Sequence, residues 1–377
     1  MDRSFEINEL VRVAKRENNT KRSYLYVNPI QGKHIPVAPS VALDLFKQMA
    51  GRLQDRYKDK KLLVIGFAET ATAIGSAIAY QAKNVKYYMN TTREDVLGAE
   101  YLFFSESHSH ATEQRLVKNK LDEVIADVDS IVFAEDEVTT GNTIEKLIRV
   151  LSDEFDCSKC QFGIISILNS MSDDRMAGLR SRGIECDFIQ KIPSQYRIEE
   201  IERYTYKPLE TDIDTGVVGD YQRIFIENYW NSRIVENISS VKKRVNQFAK
   251  EIVAQMVWKN NQQTILIVGT EEFMFPAMLA GELIEEKFPE AEVRFHATTR
   301  SPIEISDGDG YPLYTRYPLI SLYEKKRHTF IYNLKKYDHV ILMTDAEPIN
   351  ELGLNSLLRA LEVAGNNAIT IVQWRDE

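Results

Sequence analysis

The chain has 377 residues, 44% of them hydrophobic and 27% charged, with 47 Lys and Arg against 56 Asp and Glu for a net charge of −9. That length predicts two domains of ordinary globular composition. The acidic balance excludes a broad nucleic-acid footprint, which needs Lys and Arg to displace condensed counterions.

The opening MDRSFEINELVRVAKREN is charged and helix-prone and lacks the apolar core of a signal peptide. No apolar run approaches the roughly 18 residues of a membrane span, so a cytoplasmic protein with no membrane or nucleic-acid partner is expected. Residues 20–40 follow, with short aromatic strand signals and three prolines, and predict an irregular or antiparallel cap. Beyond them, buried strands are predicted at Lys61–Gly66, Val85–Met89, Ser130–Ala134, Gln161–Leu168 and Glu185–Ile189. Helical periodicity lies between them at Thr72–Ala82, Thr143–Glu154 and Asp173–Arg182, the alternation of a mostly parallel sheet flanked by helices, and the fold class is therefore α/β. Cys157 and Cys160 form a CxxC without a second Cys or His pair, and with Cys186 they make neither a disulfide framework nor a zinc site.

From Lys191 to Asn231 the periodicity fades into a polar, Tyr-rich stretch. Helical periodicity resumes at Asn237–Trp258. Strands are then predicted at Thr264–Gly269, Val293–Ala297, His339–Met343 and Ala368–Gln373, with helices at Ala277–Lys287 and Ile349–Ala364.

Side by side, the halves repeat. A Gly ends the first strand of each (Gly66, Gly269), a Thr-Thr-Arg ends the second (Thr91–Arg93, Thr298–Arg300), and an acid follows the third (Asp136, Asp345). The Gly-to-Thr spacings are 25 and 29 and the Thr-to-Asp spacings 45 and 47, which predicts duplication of one α/β domain.

The most specific segment is Ile131–Thr143, IVFAEDEVTTGNT. Thr139, Thr140, Gly141, Asn142 and Thr143 would place backbone N–H groups and hydroxyls at a helix N-terminus, where unsatisfied donors and the positive dipole end hold a phosphate. Glu135 and Asp136, at the carboxyl end of the strand, suit paired vicinal hydroxyls. A phosphate beside a diol implies a ribose 5-phosphate. Within Phe104–Arg115, Glu106, His108 and His110 alternate onto one face of an extended chain. They could ligate a metal, but with no fourth ligand visible the favoured reading has His108, His110 and Arg115 closing over a leaving group.

The segment resembles the signature of type I phosphoribosyltransferases. That resemblance implies a parallel sheet with an N-terminal hood, and transfer of ribose 5-phosphate from phosphoribosyl pyrophosphate, with Mg²⁺, to a nucleobase-like acceptor or the reverse. Ala68, Glu69, Thr70 and Ala71 fall where the family has its pyrophosphate loop, although Glu69 is a carboxylate in an anion-binding place. Arg93 falls where the orotate branch has a basic residue. Through RSYLYVNPIQGKHIPVAPS, GFAETATAIG, VFAEDEVTTGNT and HATTRSPI, nearly the whole chain resembles the two-part proteins of bacterial tellurite-resistance and stress gene clusters. In these an orotate-type domain precedes a domain named for a TRSP motif, spelled here by Thr299–Pro302.

The expected layout is residues 1–205 as the transferase domain with its hood at about 20–40, a linker at 206–236, and a degenerate copy at 237–377 whose PINELG replaces TTGNT. Arg22, Tyr26, Lys33 and His34 are expected to cover the acceptor base. Arg300 and Ser301 are expected to touch substrate, in a homodimer or an intrachain pseudo-dimer. The alternative is a regulatory protein that binds phosphoribosyl pyrophosphate or a nucleotide without turnover.

Overall fold

The computed structural model describes residues 5–18, 22–104, 114–193, 199–210, 212–216, 218–219, 221–256 and 262–376. It divides into two compact units. The central unit comprises Phe46–Tyr196 with Trp230–Arg244, and the flanking unit comprises Met1–Leu45, Arg197–Tyr229 and Val245–Glu377.

The central unit is built on a six-stranded sheet ordered Glu236–Asn237, Val85–Asn90, Leu62–Gly66, Ser130–Val138, Gln161–Asn169 and Ile184–Lys191, parallel except for the first. Every residue of Leu62–Gly66 is buried, as befits a strand covered on both faces. Helix Thr72–Gln81 is buried from Thr72 through Ala79, whereas helix Asn142–Glu154 buries Ile144, Leu147 and Leu151, the one-sided stripe of a helix facing solvent on its other side. The α/β class and parallel sheet expected from the sequence are therefore observed. A short hairpin not predicted from the sequence, Tyr101–Phe103 with Arg115–Val117, follows the second strand.

The flanking unit carries a five-stranded, all-parallel sheet ordered Glu292–Ala297, Thr264–Gly269, His339–Thr344, Ile369–Trp374 and Gln222–Ile226. In both sheets the first strand of the repeat lies between the second and the third, with the fourth outside the third. The fifth position is taken by a following strand in the central sheet and by a preceding one in the flanking sheet. The match extends to single hydrogen bonds. The Thr91 N–H donates to the Gly66 carbonyl at 2.9 Å and the Thr298 N–H to Gly269 at 3.1 Å; the Ala68 N–H donates to Thr91 Oγ1 and the Glu271 N–H to Thr298 Oγ1, both at 2.9 Å. Thr92 pairs with Arg115 as Thr299 pairs with Phe330.

One expectation is corrected. The 206–236 stretch is not a plain linker: Gln222–Ile226 is an edge strand of the flanking sheet, and Trp230–Arg244 belongs to the central unit. Its alternating burial over five residues gave too weak a signal. The 20–40 segment groups with the flanking unit. Val37 exchanges backbone hydrogen bonds with Phe295 at 3.0 and 2.7 Å, and a Cβ on Gly32 would stand 2.4 Å from the Phe295 ring.

Candidate functional site

In an open parallel sheet the ligand crevice lies beyond the carboxyl ends of the strands where strand order reverses. In the central sheet that point falls between Leu62–Gly66 and Ser130–Val138, and the loops leaving these two strands are the two that the sequence singles out.

Loop 67–71 is held from several sides. The Phe67 N–H donates to the Ala134 carbonyl at 3.1 Å, the Ala71 N–H to the Phe67 carbonyl at 3.0 Å, and Gln114 Nε2 to the Ala68 carbonyl at 3.3 Å. Thr72 Oγ1 donates to the Glu69 carbonyl at 3.1 Å. Close packing makes the turn possible. A Cβ on Gly66 would lie 2.7 Å from both Asn90 Oδ1 and the Tyr88 hydroxyl, and one on Gly75 would lie 2.8 Å from Gly66 Cα. Ala68, Glu69 and Ala71 are buried and Thr70 is half-buried.

Ser130–Val138 runs four residues further than expected, because Glu135, Glu137 and Val138 still pair with Ser166, Leu168 and Asn169. Glu135 and Asp136 therefore project from a paired strand instead of a loop, each half-buried. Burial first, and then the adjacent Asp136 carboxylate, pushes the Glu135 carboxyl well above the usual carboxylate range. Thr139 and Thr140 are exposed, Gly141 takes φ +71° as the residue before helix Asn142–Glu154, and Asn142 and Thr143 are exposed in its first turn. The left-handed turn needs glycine. The first backbone N–H groups of a helix carry the positive end of its dipole.

A residue that sequence reasoning missed holds this loop in shape. Arg175 donates from Nε to the Thr140 carbonyl at 2.7 Å and from Nη2 to Asn142 Oδ1 at 3.0 Å, and pairs with Glu145, which also pairs with Arg182. A signal was present. A cation in the first turn of helix Asp173–Arg180 opposes the helix dipole and calls for a partner elsewhere.

Arg93 follows the strand Val85–Asn90 beside Thr91 and Thr92 and is half-buried, with its carbonyl accepting from Arg115 Nη2 at 3.4 Å. Arg115 opens the hairpin strand Arg115–Val117. It pairs with Asp95 at 2.6 Å and lies 4.4 Å from the Tyr101 ring centroid. Glu106, His108 and His110 lie outside the described residues. Among the described residues, no group of three or more His, Cys, Asp or Glu side chains gathers to hold a metal ion.

The remaining expected substrate residues belong to the flanking unit. Arg22 packs 4.8 Å from the Tyr24 ring and 5.7 Å from that of Tyr26. Lys33, 1% exposed, donates to the Glu271 carbonyl at 2.9 Å, and His34 is buried edge-on to Tyr332 at 6.1 Å. Arg300 pairs with Glu271 at 2.9 Å and with Glu272 at 3.7 Å. Ser301 donates its N–H to Thr299 Oγ1 at 3.2 Å, while its carbonyl accepts from the Tyr332 hydroxyl at 2.7 Å. The structure thus gathers Ala68–Ala71, Arg93, Glu135, Asp136 and Thr139–Thr143 in one unit. It places Arg22, Tyr26, Lys33, His34, Arg300 and Ser301 in the other.

Among solved structures, the chain is similar to adenine phosphoribosyltransferase from Trypanosoma brucei, determined with AMP, pyrophosphate and ribose-5-phosphate (13% identity, 55% of this chain and 86% of that one, TM-score 0.38). It is also similar to adenine phosphoribosyltransferase from Thermoanaerobacter pseudethanolicus (14%, 49% and 98%, TM-score 0.36) and to a hypoxanthine phosphoribosyltransferase from Staphylococcus aureus (16%, 41% and 74%, TM-score 0.26). No match is found among curated proteins. Residues 10–194 match the family described as phosphoribosyl transferase, and residues 234–361 match the TRSP domain found C-terminal to it. The chain therefore belongs to the phosphoribosyl transferase family in its two-domain form, with a TRSP domain following the transferase domain.

Proposed function

We propose that the central unit transfers ribose 5-phosphate between pyrophosphate and a nucleobase-like acceptor, using phosphoribosyl pyrophosphate as donor in one direction. The observation that carries this reading is the meeting, at the reversal point of strand order, of an acid pair, a Thr-Gly loop opening a helix and the tightly folded loop 67–71. The helix N-terminus at Thr139–Thr143 holds the 5-phosphate. Glu135 and Asp136 accept from the two ribose hydroxyls, so that C1′ moves between fixed groups. At C1′ the bond to the diphosphate oxygen breaks, its electron pair leaves with pyrophosphate, and a bond to an acceptor nitrogen forms. Loop 67–71 and Arg93 face the charge that develops on the leaving group, where preorganised donors act most strongly.

The residues fit Mg²⁺. Its hard oxygen preference suits two adjacent carboxylates together with ligand oxygens. When bound with the diphosphate, Mg²⁺ supplies neutralisation of negative charge. Glu135 and Asp136 would hold it, with Glu69 bordering the same crevice. A role in a stress- or tellurite-associated nucleotide-like pathway is part of this proposal, supported by the two-domain arrangement.

The test is pyrophosphate release from phosphoribosyl pyrophosphate with Mg²⁺, screened against orotate, uracil, purines and a metabolite extract. Acceptor-dependent release that disappears in Thr140→Ala/Gly141→Ala is expected. Saturable binding without release would replace the transferase with a sensor, and absence of binding would overturn the site.

A further inference from the structure

In the flanking unit, each element equivalent to a ligand-holding part of the central site is filled by the chain itself. Sheet register sets the equivalences: Gly66 with Gly269, Asp136 with Asp345, and helix Asn142–Glu154 with helix Glu351–Val363. Ala68 of the central loop then corresponds to Glu271, whose side chain is 1% exposed. Its carboxylate accepts from Arg300 Nε at 2.9 Å, Arg327 Nη1 at 3.0 Å and Ser321 Oγ at 2.5 Å. Two guanidiniums converge on this internal anion as they would on a diphosphate.

Asp345, counterpart of the ribose-facing Asp136, accepts from two tyrosine hydroxyls, Tyr229 at Oδ2 and Tyr323 at Oδ1, each at 2.5 Å. They stand where two ribose hydroxyls would. At the helix, the Asn350 N–H donates to the Leu322 carbonyl at 2.9 Å and the Asn350 amide to the Ser321 carbonyl at 2.7 Å. A Cβ on Gly353 would lie 2.3 Å from the Ser321 carbonyl oxygen, so the backbone of Ser321 and Leu322 presses against the first turn where a phosphate would rest.

We propose that the TRSP domain is a self-liganded copy of the phosphoribosyl pyrophosphate site. Segment Ser321–Arg327, with Glu271 and Tyr229, supplies intramolecular equivalents of the phosphate acceptors, the diol and the diphosphate. A diphosphate anion is the ligand class that the site takes once Glu271 is removed. The inference rests on the reading of the central site for which ligand atoms are mimicked. Its test therefore uses the full chain with the pyrophosphate contacts of that site disabled by Arg93→Ala/Asp136→Ala.

Calorimetric titration of this parent with inorganic pyrophosphate is expected to show no saturable uptake. Adding Glu271→Ala is expected to produce binding at one pyrophosphate per chain, at least tenfold above the parent, and Arg327→Gln on top should remove it. Two results overturn the proposal: a parent that already binds one pyrophosphate lost with Arg327→Gln, or a folded Glu271→Ala chain indistinguishable from the parent. If near-ultraviolet circular dichroism shows Glu271→Ala unfolded, Glu271→Gln keeps the side-chain shape, removes the charge and is judged by the same outcomes. Pyrophosphate binding by the intact central site is a separate titration, whose failure bears on the transferase reading alone.

Discussion

Gly66→Ala tests whether close packing shapes the loop at 67–71. The new Cβ would lie 2.7 Å from Asn90 Oδ1, 2.7 Å from the Tyr88 hydroxyl and 3.1 Å from the Ala71 carbonyl oxygen. None of these can retreat easily. Tyr88 is 0% and Asn90 1% exposed, the Tyr88 hydroxyl donates to the Thr72 carbonyl at 3.1 Å and bonds Asn90 Oδ1, and the Tyr88 ring packs 5.9 Å from Trp230. Overpacking of this kind costs about 1–3 kcal/mol, and a loss of about 2 kcal/mol lowers the midpoint of a domain this size by about 4–8 °C. Gly51→Ala is the paired control. Gly51 sits in helix Pro39–Arg56 with nothing within 4 Å of its would-be Cβ, so alanine should stabilise by about 0.5–1 kcal/mol. Native-state hydrogen exchange of Leu62–Gly66 and Ser130–Val138 reads this unit directly, and pyrophosphate titration reads its loop. Gly66→Ala within about 0.5 kcal/mol of the parent, or binding pyrophosphate as the parent does, would refute the packing argument.

The acid pair predicts a pH dependence. The folded-state pKa of Glu135 lies above its unfolded value, so the folded chain binds the extra proton, and this group's contribution falls as pH rises from the ordinary carboxylate range toward the raised value. Glu135→Gln should therefore stabilise the central unit at neutral pH relative to the parent, with the difference vanishing toward pH 4; a difference independent of pH in urea titrations would contradict this. Arg175→Ala removes charge-assisted hydrogen bonds to Thr140 and Asn142 and should weaken phosphoribosyl pyrophosphate binding roughly tenfold, corresponding to about 1.4 kcal/mol. Arg175→Lys should not restore it, because a point charge cannot reproduce the fork; full restoration in a binding titration would count against loop positioning. His34→Ala should lower the stability of the flanking unit by about 1–3 kcal/mol, and a variant within about 0.5 kcal/mol of the parent in urea titrations would contradict its packing role.

Much of the central unit was legible because its signals are local. LLVIG reads as a doubly covered strand from composition alone, TTGNT reads as a helix opening from turn chemistry, and Asp136 and Asp345 are matched by spacing before register aligns them. Local signals failed where partners are distant in sequence. Gln222–Ile226 is too short to announce itself, and it becomes a strand only because Ile369–Trp374 offers an open edge. Arg175 acts on a loop 35 residues earlier, a distance that no helical or strand period spans.

The same limit separates the two copies. The amino-acid sequence by itself determined the α/β class, the recurring Gly, Thr-Thr-Arg and Asp landmarks and the absence of a Thr-Gly segment at the equivalent place in the second half, since each is written in neighbouring residues. Only the tertiary structure decided that residues 20–40 pack within the flanking unit. It alone decided that Glu271, Arg300, Arg327, Tyr229, Tyr323 and Asp345 close on one another. Hydrophobic periodicity reports which face of an element is buried. The identity of a buried charge's partner is set by chain crossings that bring residues more than 100 positions apart, as Tyr229 and Asp345 are, within a single hydrogen bond.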